Sequence, residues 1–266
     1  MITAATALYC VLGNPVSHSK SPVVHNAAFK DKGIDAAYLA FAPDNIRDAV
    51  SAIRTFNIRG ASVTIPFKEV IREHLDWIDP GAEEIGAVNT VVNKHGRLMG
   101  YNTDCDAAVA PLRKFGINGK KICIVGAGGA ARAVAHGIAL EGGQIIIVNR
   151  TPAKGVELAD RVEGIFMPVE KAGEIKADVI INTTSLGMEP DTETLSFPEQ
   201  AIEKGMVVMD VVYTPVETRL LKTARSKNCA TVDGLSMFIA QAAAQFKLWT
   251  GMEPDTELMR QTVLKS

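Results

Sequence analysis

Residues 120–150, KKICIVGAGGAARAVAHGIALEGGQIIIVNR, constrain the fold more than any other stretch of the chain. An apolar strand, a glycine-rich turn, a helix and a second apolar strand follow one another, which is the order of a dinucleotide-binding unit. Gly126 permits the tight turn, Gly128 leaves space for a pyrophosphate, and Ala131 replaces the third glycine at the helix–sheet contact. Free N–H groups at the helix start favour phosphate, although a glycine-rich turn that binds nothing is the alternative. The expected cofactor contacts in this turn are Gly126, Ala127, Gly128, Gly129 and Ala130.

The residues that end the second strand, NRTPAK (149–154), indicate which dinucleotide is bound. An acidic residue there would hold the ribose 2′-hydroxyl of NAD, but none is present. A guanidinium fork suits a 2′-phosphate, and a cationic pair at a helix N-terminus opposes the helix dipole unless an anion joins it. A solvated basic helix start is the alternative. The sequence therefore predicts NADP rather than NAD, contacted by Asn149, Arg150, Thr151 and Lys154.

Strand and helix patterns alternate along the rest of the chain and predict an α/β fold with two domains. Further strands are predicted after the glycine turn at 164–169, 178–184, 206–213 and 229–234. With helices between them, these make six strands of a doubly wound parallel sheet. The N-terminal part predicts strands at 7–13, 36–42 and 60–65, a hairpin over 89–102, and helices at 22–32, 43–56, after Pro66, and at 105–115. Two helical stretches, 236–249 and 253–265, end the chain, and the sequence leaves open whether they return to the first domain.

Composition argues against several classes of function. The chain has 28 basic and 30 acidic residues and a formal net charge of −2, whereas nucleic-acid and anionic-membrane binders usually carry a basic excess. The N-terminus lacks the pattern of a signal peptide, and no window has the apolar length of a membrane helix. The cysteines are far apart in the sequence and form no disulfide or zinc pattern: Cys10, Cys105, Cys123 and Cys229. We expect a cytoplasmic protein without a nucleic-acid or membrane partner.

Residues 17–26, SHSKSPVVHN, form a polar cluster at the start of a predicted helix. His18 and His25 raise the question of a metal site, but no cysteine or acidic residue is near in sequence, so no metal is expected. A structural histidine that orders the loop is the favoured interpretation. Ser19 and Ser21 offer hydroxyl donors to an anion just before a helix N-terminus, and helix capping is compatible with that role.

Nine short motifs are spread along nearly the whole length of the chain: GNPVSHSKSPVVHN (13–26), SVTIPFK (62–68), GAVNTV (86–91), GYNTD (100–104), GAGGAARA (126–133), NRT (149–151), NTTSLGM (182–188), VVYTP (211–215) and DGLSMFIAQAA (233–243). Any one of them is a weak signal. In this order they closely resemble the motifs of the shikimate dehydrogenase family, NADP-dependent reductases of aromatic amino-acid biosynthesis.

The resemblance implies an N-terminal α/β substrate domain, expected at 1–105 plus 238–266, and a Rossmann-type NADP domain with a doubly wound parallel sheet at 106–237. It implies reversible reduction of 3-dehydroshikimate to shikimate by NADPH, with a small molecule as substrate; a homodimer is left open. Lys68 and Asp104 are expected to handle the proton. Whether Lys68 transfers the proton or only polarises the substrate oxygen stays open. As isolated residues they would be a surface lysine and a helix cap.

The resemblance also assigns binding residues. Ser19 and Ser21 are expected to bind the substrate carboxylate. The other expected substrate contacts are Thr64, Lys68, Asn89, Asp104, Tyr213 and Gln241. Further cofactor contacts are expected from Thr183, Ser185, Met188, Val211, Gly234 and Met237. For Met237, core packing is the alternative, because methionine in an apolar helix usually packs inside.

Four positions depart from the family's usual residues: Ser62 for Asn, Ala107 for Gly, Gly155 for Ala and Phe238 for Leu. None removes a proposed catalytic group. Phe238, together with Ser236, could change the pocket wall and therefore the substrate range.

Three alternatives to the main interpretation remain. A quinate/shikimate dehydrogenase often uses NAD, and Ser21, Arg150 and Thr151 argue against it. The four departures keep open a paralogue with an altered substrate range. A non-catalytic metabolite or nucleotide sensor could share the fold, but it would have no chemical need for both Lys68 and Asp104.

Overall fold

The computed structural model describes residues 2–266, which form two compact units. The first unit consists of two segments, the chain up to Thr103 and the C-terminal segment Ile239–Ser266. The second unit is the segment between them, Asp104–Phe238. The boundaries expected after residues 105 and 237 differ from these divisions by one or two residues. Each unit contains one six-stranded sheet with helices, so the predicted α/β fold class is confirmed.

The elements of the described chain have the following bounds. The strands are β1 (Ala7–Leu12), β2 (Ala36–Phe41), β3 (Gly60–Val63), β4 (Trp77–Ile78), β5 (Thr90–Lys94), β6 (Arg97–Tyr101), β7 (Lys121–Val125), β8 (Gln144–Asn149), β9 (Ile165–Pro168), β10 (Val179–Asn182), β11 (Val207–Asp210) and β12 (Ala230–Val232). The α-helices are α1 (Ser21–Asp31), α2 (Ile46–Thr55), α3 (Pro80–Ile85), α4 (Asp104–Val109), α5 (Gly129–Leu140), α6 (Pro152–Arg161), α7 (Arg219–Ser226), α8 (Gly234–Thr250) and α9 (Thr256–Leu264).

The sheet of the first unit is mixed, in the order β2-β1-β3-β5-β6-β4. Strands β2, β1 and β3 are parallel, and the hairpin β5–β6 joins β3 in antiparallel register, with Ser62 opposite Thr90. Helix α2 covers the sheet with an apolar face at helical spacing, formed by Ile46, Ala49, Val50 and Ile53. The Asn45 side chain accepts a hydrogen bond from the N–H of Arg47 at 2.8 Å, so this helix begins at Ile46 rather than at 43.

The sheet of the second unit is entirely parallel, in the order β12-β11-β10-β7-β8-β9. The order reverses at β7 and β10, which is the arrangement of a doubly wound sheet and confirms the predicted topology. Strands β10 and β11 are buried throughout, as the continuous apolar runs of a sheet covered on both faces require. The carboxyl ends of β7 and β10 therefore open at the edge where such folds bind ligands.

Three secondary-structure predictions were wrong. The α-helix expected directly after Pro66 is absent, because the carbonyl of Lys68 accepts the N–H of Val88 at 2.8 Å instead of a helical partner. A short 3-10 helix, Val70–His74, follows. The helix expected over 105–115 changes to a 3-10 helix at Ala110–Phe115, where Pro111 removes a helical donor.

The third error concerns the connections between parallel strands of the second unit. Helices were expected throughout, but the links before β10 and β11 contain only the 3-10 helices Val169–Glu174 and Glu199–Ala201. Strand β4 and helix α3 were not predicted from the sequence. The signal for α3 was present, because Asp79 caps it, Pro80 opens it and Gly86 ends it in the left-handed conformation.

Candidate active site

The polar stretch 17–26 places its serines at the beginning of α1. Ser21 is the first residue of the helix and is buried, and the N–H of Ser21 donates to the Ser19 hydroxyl at 3.3 Å. Lys20 occupies the capping position without a side-chain cap and donates instead to the carbonyl of Ser266 at 2.9 Å. The predicted serine cap is therefore absent, and Ser19 instead accepts from the first N–H of the helix.

The two histidines of this stretch have different environments. His18 is exposed. His25 lies within α1, fully buried, with its ring stacked on Tyr38 at 4.5 Å and tilted against Trp249 at 5.0 Å. Burial lowers the pKa of His25 to about 3, with a smaller opposing contribution from Gln245, so the ring is neutral at physiological pH. His25 is structural, as expected, but it packs the helix against aromatic side chains rather than ordering the loop.

Thr64 and Lys68 follow β3, at the motif SVTIPFK. The N–H of Thr64 donates to the Leu12 carbonyl at 2.9 Å, which extends the pairing of β3 with β1. A Cβ at Gly13 would lie 2.3 Å from Cγ2 of Thr64, so the first motif can approach the second this closely only as glycine. Both Thr64 and Lys68 are partly exposed and are accessible to a ligand.

Asn89 connects two further motifs, GAVNTV and GYNTD. Its side chain is 1% exposed; its amide nitrogen donates to the Thr103 hydroxyl at 2.9 Å, and its amide oxygen accepts from the N–H of Thr103 at 2.8 Å. In the same way Asn102 donates to the Ala87 carbonyl at 2.9 Å. Asn89 therefore holds the segment that leads to Asp104, a 4% exposed residue that opens α4 in the second unit.

A buried polar chain that the sequence analysis missed links β2, β3 and α8. The Tyr38 hydroxyl donates to Ser62 Oγ at 2.5 Å, and Ser62 Oγ donates to Gln245 Oε1 at 2.6 Å. Gln245 Nε2 then donates to the backbone carbonyl of Asn89 at 3.2 Å. A signal existed, because Gln245 follows Gln241 by one helical turn and Ser62 precedes Thr64 by two strand residues.

The glycine turn of the second unit has the geometry of a phosphate cradle. Gly126 has φ +120°, and a Cβ there would lie 2.5 Å from Thr183 Oγ1. Gly128 caps α5 in an extended conformation, and a Cβ at this position would meet no described atom within 4 Å. No side chain caps α5, and no acidic residue lies in its first turn. The turn thus leaves space and N–H donors for an anionic group, which fits the pyrophosphate of a dinucleotide.

The segment after β8 presents exposed cations. Arg150, Thr151 and Lys154 are all exposed, and neither cation forms an ion pair among residues 2–266. Asn149 donates from its side chain to the Thr151 carbonyl at 2.9 Å, which shapes the loop. Among these residues no acidic side chain occupies the position that would repel a 2′-phosphate.

Two loops after β10 and β11 carry the remaining cofactor candidates, and one buried carboxylate joins them. Asp210 accepts from Asn182 Nδ2 at 2.8 Å, from the N–H of Val212 at 3.0 Å and from the Thr218 hydroxyl at 2.7 Å. The Asn182 side chain in turn accepts the N–H of Thr184 at 3.0 Å. Burial raises the pKa of Asp210 to about 6, because these three hydrogen bonds offset only part of the desolvation.

Around these loops the candidates differ in exposure. Thr183 and Met188 are partly buried, Ser185 is exposed, and Val211 is partly buried. A Cβ at Gly234 would lie 2.5 Å from the Val211 carbonyl, so only glycine fits there. Met237 is 6% exposed and belongs to the hydrophobic core of the second unit. This agrees with the alternative prediction that Met237 packs in the core.

The four departures from the family pattern have identifiable neighbours. Phe238 stacks on Tyr213, with ring centroids 4.3 Å apart. A Cβ at Gly155 would lie 2.4 Å from the ring of Phe166, which explains the absence of alanine. Ala107 is buried in α4, and Ser62 belongs to the chain that ends on Asn89.

Two other kinds of site are absent from residues 2–266. No group of three or more His, Cys, Asp or Glu side chains could hold a metal ion. Within the same residues, the helices are all too short or too polar to cross a bilayer.

Comparison with known proteins adds the family context. Models of the shikimate dehydrogenase substrate binding domain, the shikimate / quinate 5-dehydrogenase domain and the shikimate 5′-dehydrogenase C-terminal domain match residues 11–91, 110–235 and 234–264. Shikimate dehydrogenase (NADP(+)) of Moorella thermoacetica is 43% identical, over 97% of this chain and 92% of the relative. That of Pyrococcus abyssi is 43% identical over 97% of each chain.

A solved structure agrees with the sequence comparison. The shikimate 5-dehydrogenase of Thermus thermophilus, in complex with NADP(H) and shikimate, is 36% identical and superposes with a TM-score of 0.88. The match covers 97% of this chain and 99% of that one. The likeness therefore extends over both units rather than over the dinucleotide-binding motif alone.

Proposed function

Because the chain belongs to the shikimate dehydrogenase family, we propose that it is an NADP-dependent oxidoreductase that reversibly reduces 3-dehydroshikimate to shikimate. One observation carries substrate and cofactor together: relatives named for this activity are 43% identical over 97% of the chain. The first unit is the substrate domain and the second the NADP domain. The reaction belongs to the shikimate pathway, and free cysteines at all four positions fit a reducing cytoplasm.

NADP, when bound, supplies or accepts the hydride at its nicotinamide ring. The chain's own residues bind and orient it. The turn at Gly126 and Gly128 receives the pyrophosphate, since it offers uncapped N–H groups and room that a Cβ would fill. Arg150, Thr151 and Lys154 hold the 2′-phosphate, with Asn149 shaping their loop. The remaining contacts come from Ala127, Gly129, Ala130, Thr183, Ser185, Met188, Val211 and Gly234, whereas Met237 packs in the core.

The substrate is held by polar side chains of several elements. Ser19 and Ser21 bind its carboxylate at the start of α1, where hydroxyl and backbone donors meet an anion. The hydroxyls on the ring are bound by Thr64, Asn89, Tyr213 and Gln241. These groups fix which ring carbon faces the cofactor, and orientation of this kind supplies a large part of rate acceleration.

Lys68 and Asp104 act on the reacting oxygen. A lysine ammonium and a carboxylate that share one substrate hydroxyl can polarise it and hold or release its proton while the hydride moves. The burial of Asp104, only 4% exposed, keeps its carboxylate out of bulk water. The support for these roles is the match of both residues to family motifs, together with their accessibility or burial as described.

Initial rates with shikimate and quinate, each paired with NADP and with NAD, test the proposed function. Fast turnover with shikimate and NADP alone is the expected result. Comparable rates with quinate or NAD would move the protein to the quinate/shikimate branch. Absence of turnover in all four combinations would overturn the activity and favour a sensor on the same fold.

A further inference from the structure

A chain of buried hydrogen bonds runs through the first unit and ends on the backbone carbonyl of Asn89, a residue assigned to the substrate. Its members are Tyr38, Ser62 and Gln245, which are 0%, 6% and 1% exposed. Tyr38 donates to Ser62, Ser62 to Gln245, and Gln245 to the Asn89 carbonyl, at 2.5, 2.6 and 3.2 Å. The Asn89 carbonyl can only accept, so Gln245 turns its amide nitrogen towards it and its amide oxygen towards Ser62. Ser62 must then donate to Gln245, and Tyr38 must donate to Ser62.

The last three groups of this chain lie near residues assigned to the substrate in the sequence. Ser62 precedes Thr64 by two residues, a spacing that repeats the same strand face. Gln245 follows Gln241 by one turn of α8, on the same helical face. The carbonyl that ends the chain is that of Asn89, which also accepts the N–H of Val63 at 2.8 Å.

The first link is tied to the helix that carries the serines. Asn26 of α1 binds the backbone of Tyr38 on both sides: its side chain donates to the Tyr38 carbonyl at 2.9 Å and accepts the Tyr38 N–H at 2.8 Å. Burial raises the pKa of Tyr38 well above its ordinary value, with smaller opposing contributions from the hydroxyls of Ser62 and Ser21. The phenol therefore remains a proton donor throughout the physiological range.

A second contact fixes α8 to the same sheet. Trp249, one turn after Gln245, donates from Nε1 to the Val91 carbonyl at 3.0 Å. A Cβ at Gly60 would lie 2.3 Å from this Nε1, so the indole packs directly on β3. Two side chains on one face of α8 thus determine its rotation and its position along β3 and β5.

We propose that Tyr38, Ser62 and Gln245 are positioning residues, whose hydrogen-bonded chain sets the register between α8 and β3 and so the placement of Thr64, Asn89 and Gln241 against the substrate ring. This inference rests on the proposed function. A buried polar chain has this effect because each group costs free energy unless its partner stays in one geometry. Ser62, where the family usually has Asn, is short enough to receive the Tyr38 phenol at hydrogen-bond distance.

The test compares Tyr38→Phe, Ser62→Ala and the double variant with the wild-type enzyme. Each removes a hydroxyl and keeps most of the packing. The KM for shikimate is expected to rise about fivefold to tenfold, which is the loss of roughly one hydrogen bond, while the KM for NADP stays within about twofold. Because both hydroxyls belong to one chain, the double variant should raise the shikimate KM little more than either single variant does.

Asn93→Ala is the matched control. Asn93 is also buried in the first unit and donates to the Ile58 carbonyl at 2.9 Å, but it serves the turn of the β5–β6 hairpin. It should lower the melting temperature without changing the shikimate KM. Tyr38→Phe and Ser62→Ala variants that lose stability like Asn93→Ala, with an unchanged shikimate KM, would overturn the positioning role alone. A wild-type enzyme that does not turn over shikimate with NADP would overturn the proposed function and this inference with it.

Discussion

At the scale of single residues, the chemistry of the proposed site depends on groups whose surroundings differ sharply. Lys68 is partly exposed after β3, whereas Asp104 is 4% exposed at the start of α4. Neither residue is distinctive on its own in the sequence. Their motifs identify them, and the backbone contacts around Lys68 and Asn89 show how those motifs are held.

Replacing either proton-handling residue should abolish most turnover. Lys68→Ala and Asp104→Ala are each expected to lower kcat by about 10²–10⁴-fold, the range for loss of a positioned acid or base. NADP affinity, measured by quenching of protein fluorescence, should be unchanged. Lys94→Ala, at the exposed tip of the hairpin, is the control and should be fully active. Near-normal kcat in either variant would remove that residue from the mechanism.

Arg150 should discriminate between the two dinucleotides. Arg150→Ala is expected to raise the KM for NADP about 10- to 100-fold, since a hydrogen bond between charged groups contributes about 1.5–3 kcal/mol. The KM for NAD, which lacks the 2′-phosphate, should change less than about twofold. Arg161→Ala, at the other end of α6, serves as the control. Equal effects on both cofactors would contradict a contact with the 2′-phosphate.

At the scale of elements, the two glycines of the turn between β7 and α5 have different roles, one in folding and one in binding. Gly126 is required by the fold, because its φ of +120° and its contact with Thr183 leave no room for a side chain. Gly128 has ordinary extended backbone and open space around it. The same motif thus contains one glycine that the chain needs and one that only a ligand would need.

Two alanine substitutions test this separation. Gly126→Ala should destabilise the protein by about 1–3 kcal/mol through backbone strain, and more if Thr183 cannot move. Gly128→Ala should leave the melting temperature of the ligand-free protein unchanged and raise the Kd for NADP on the order of tenfold. Thermal unfolding with and without NADP measures both quantities. An unaltered NADP affinity in Gly128→Ala would mean that the pyrophosphate does not approach this backbone.

At the scale of the whole molecule, stability against pH depends on two buried groups with opposite effects. His25 has a folded-state pKa of about 3, well below its ordinary 6.5, so the unfolded chain binds a proton that the folded chain refuses. Its contribution is complete above about pH 6.5 and is lost as the pH falls towards 3. Asp210, with its pKa raised to about 6, stabilises the fold as the pH falls from about 6 to 4. The two effects partly cancel in the wild type.

The variant His25→Phe should show how much His25 contributes to the pH dependence of the unfolding free energy. Between pH 7 and pH 4 the difference in unfolding free energy between variant and wild type should shift by roughly 3 kcal/mol in favour of the variant, at about 1.4 kcal/mol per pH unit below 6.5. Denaturant unfolding at several pH values measures this difference, and Asp210 contributes equally to both proteins. His18→Ala, at an exposed position, should show no shift. A constant difference across the range would mean that the pKa of His25 is the same in the folded and the unfolded protein.

The sequence by itself determined the family, the α/β fold in two domains and the doubly wound parallel sheet of the second unit. It could do so because a glycine turn between two apolar strands has few physical solutions, and because ordered motifs carry more information than any single residue. Most site residues were named in the same way, and their individual roles stay predictions, as does the assembly.

Only the tertiary structure decided which buried polar groups of the first unit bond to one another. Tyr38, Ser62 and Gln245 are separated along the chain and look like ordinary strand and helix residues, yet folding brings their hydroxyl and amide groups within hydrogen-bond distance. The segment after Pro66 is a second case, because the Lys68 carbonyl bonds to Val88 in place of its helical partner. Both outcomes depend on contacts between distant segments, which local propensity and periodicity do not encode.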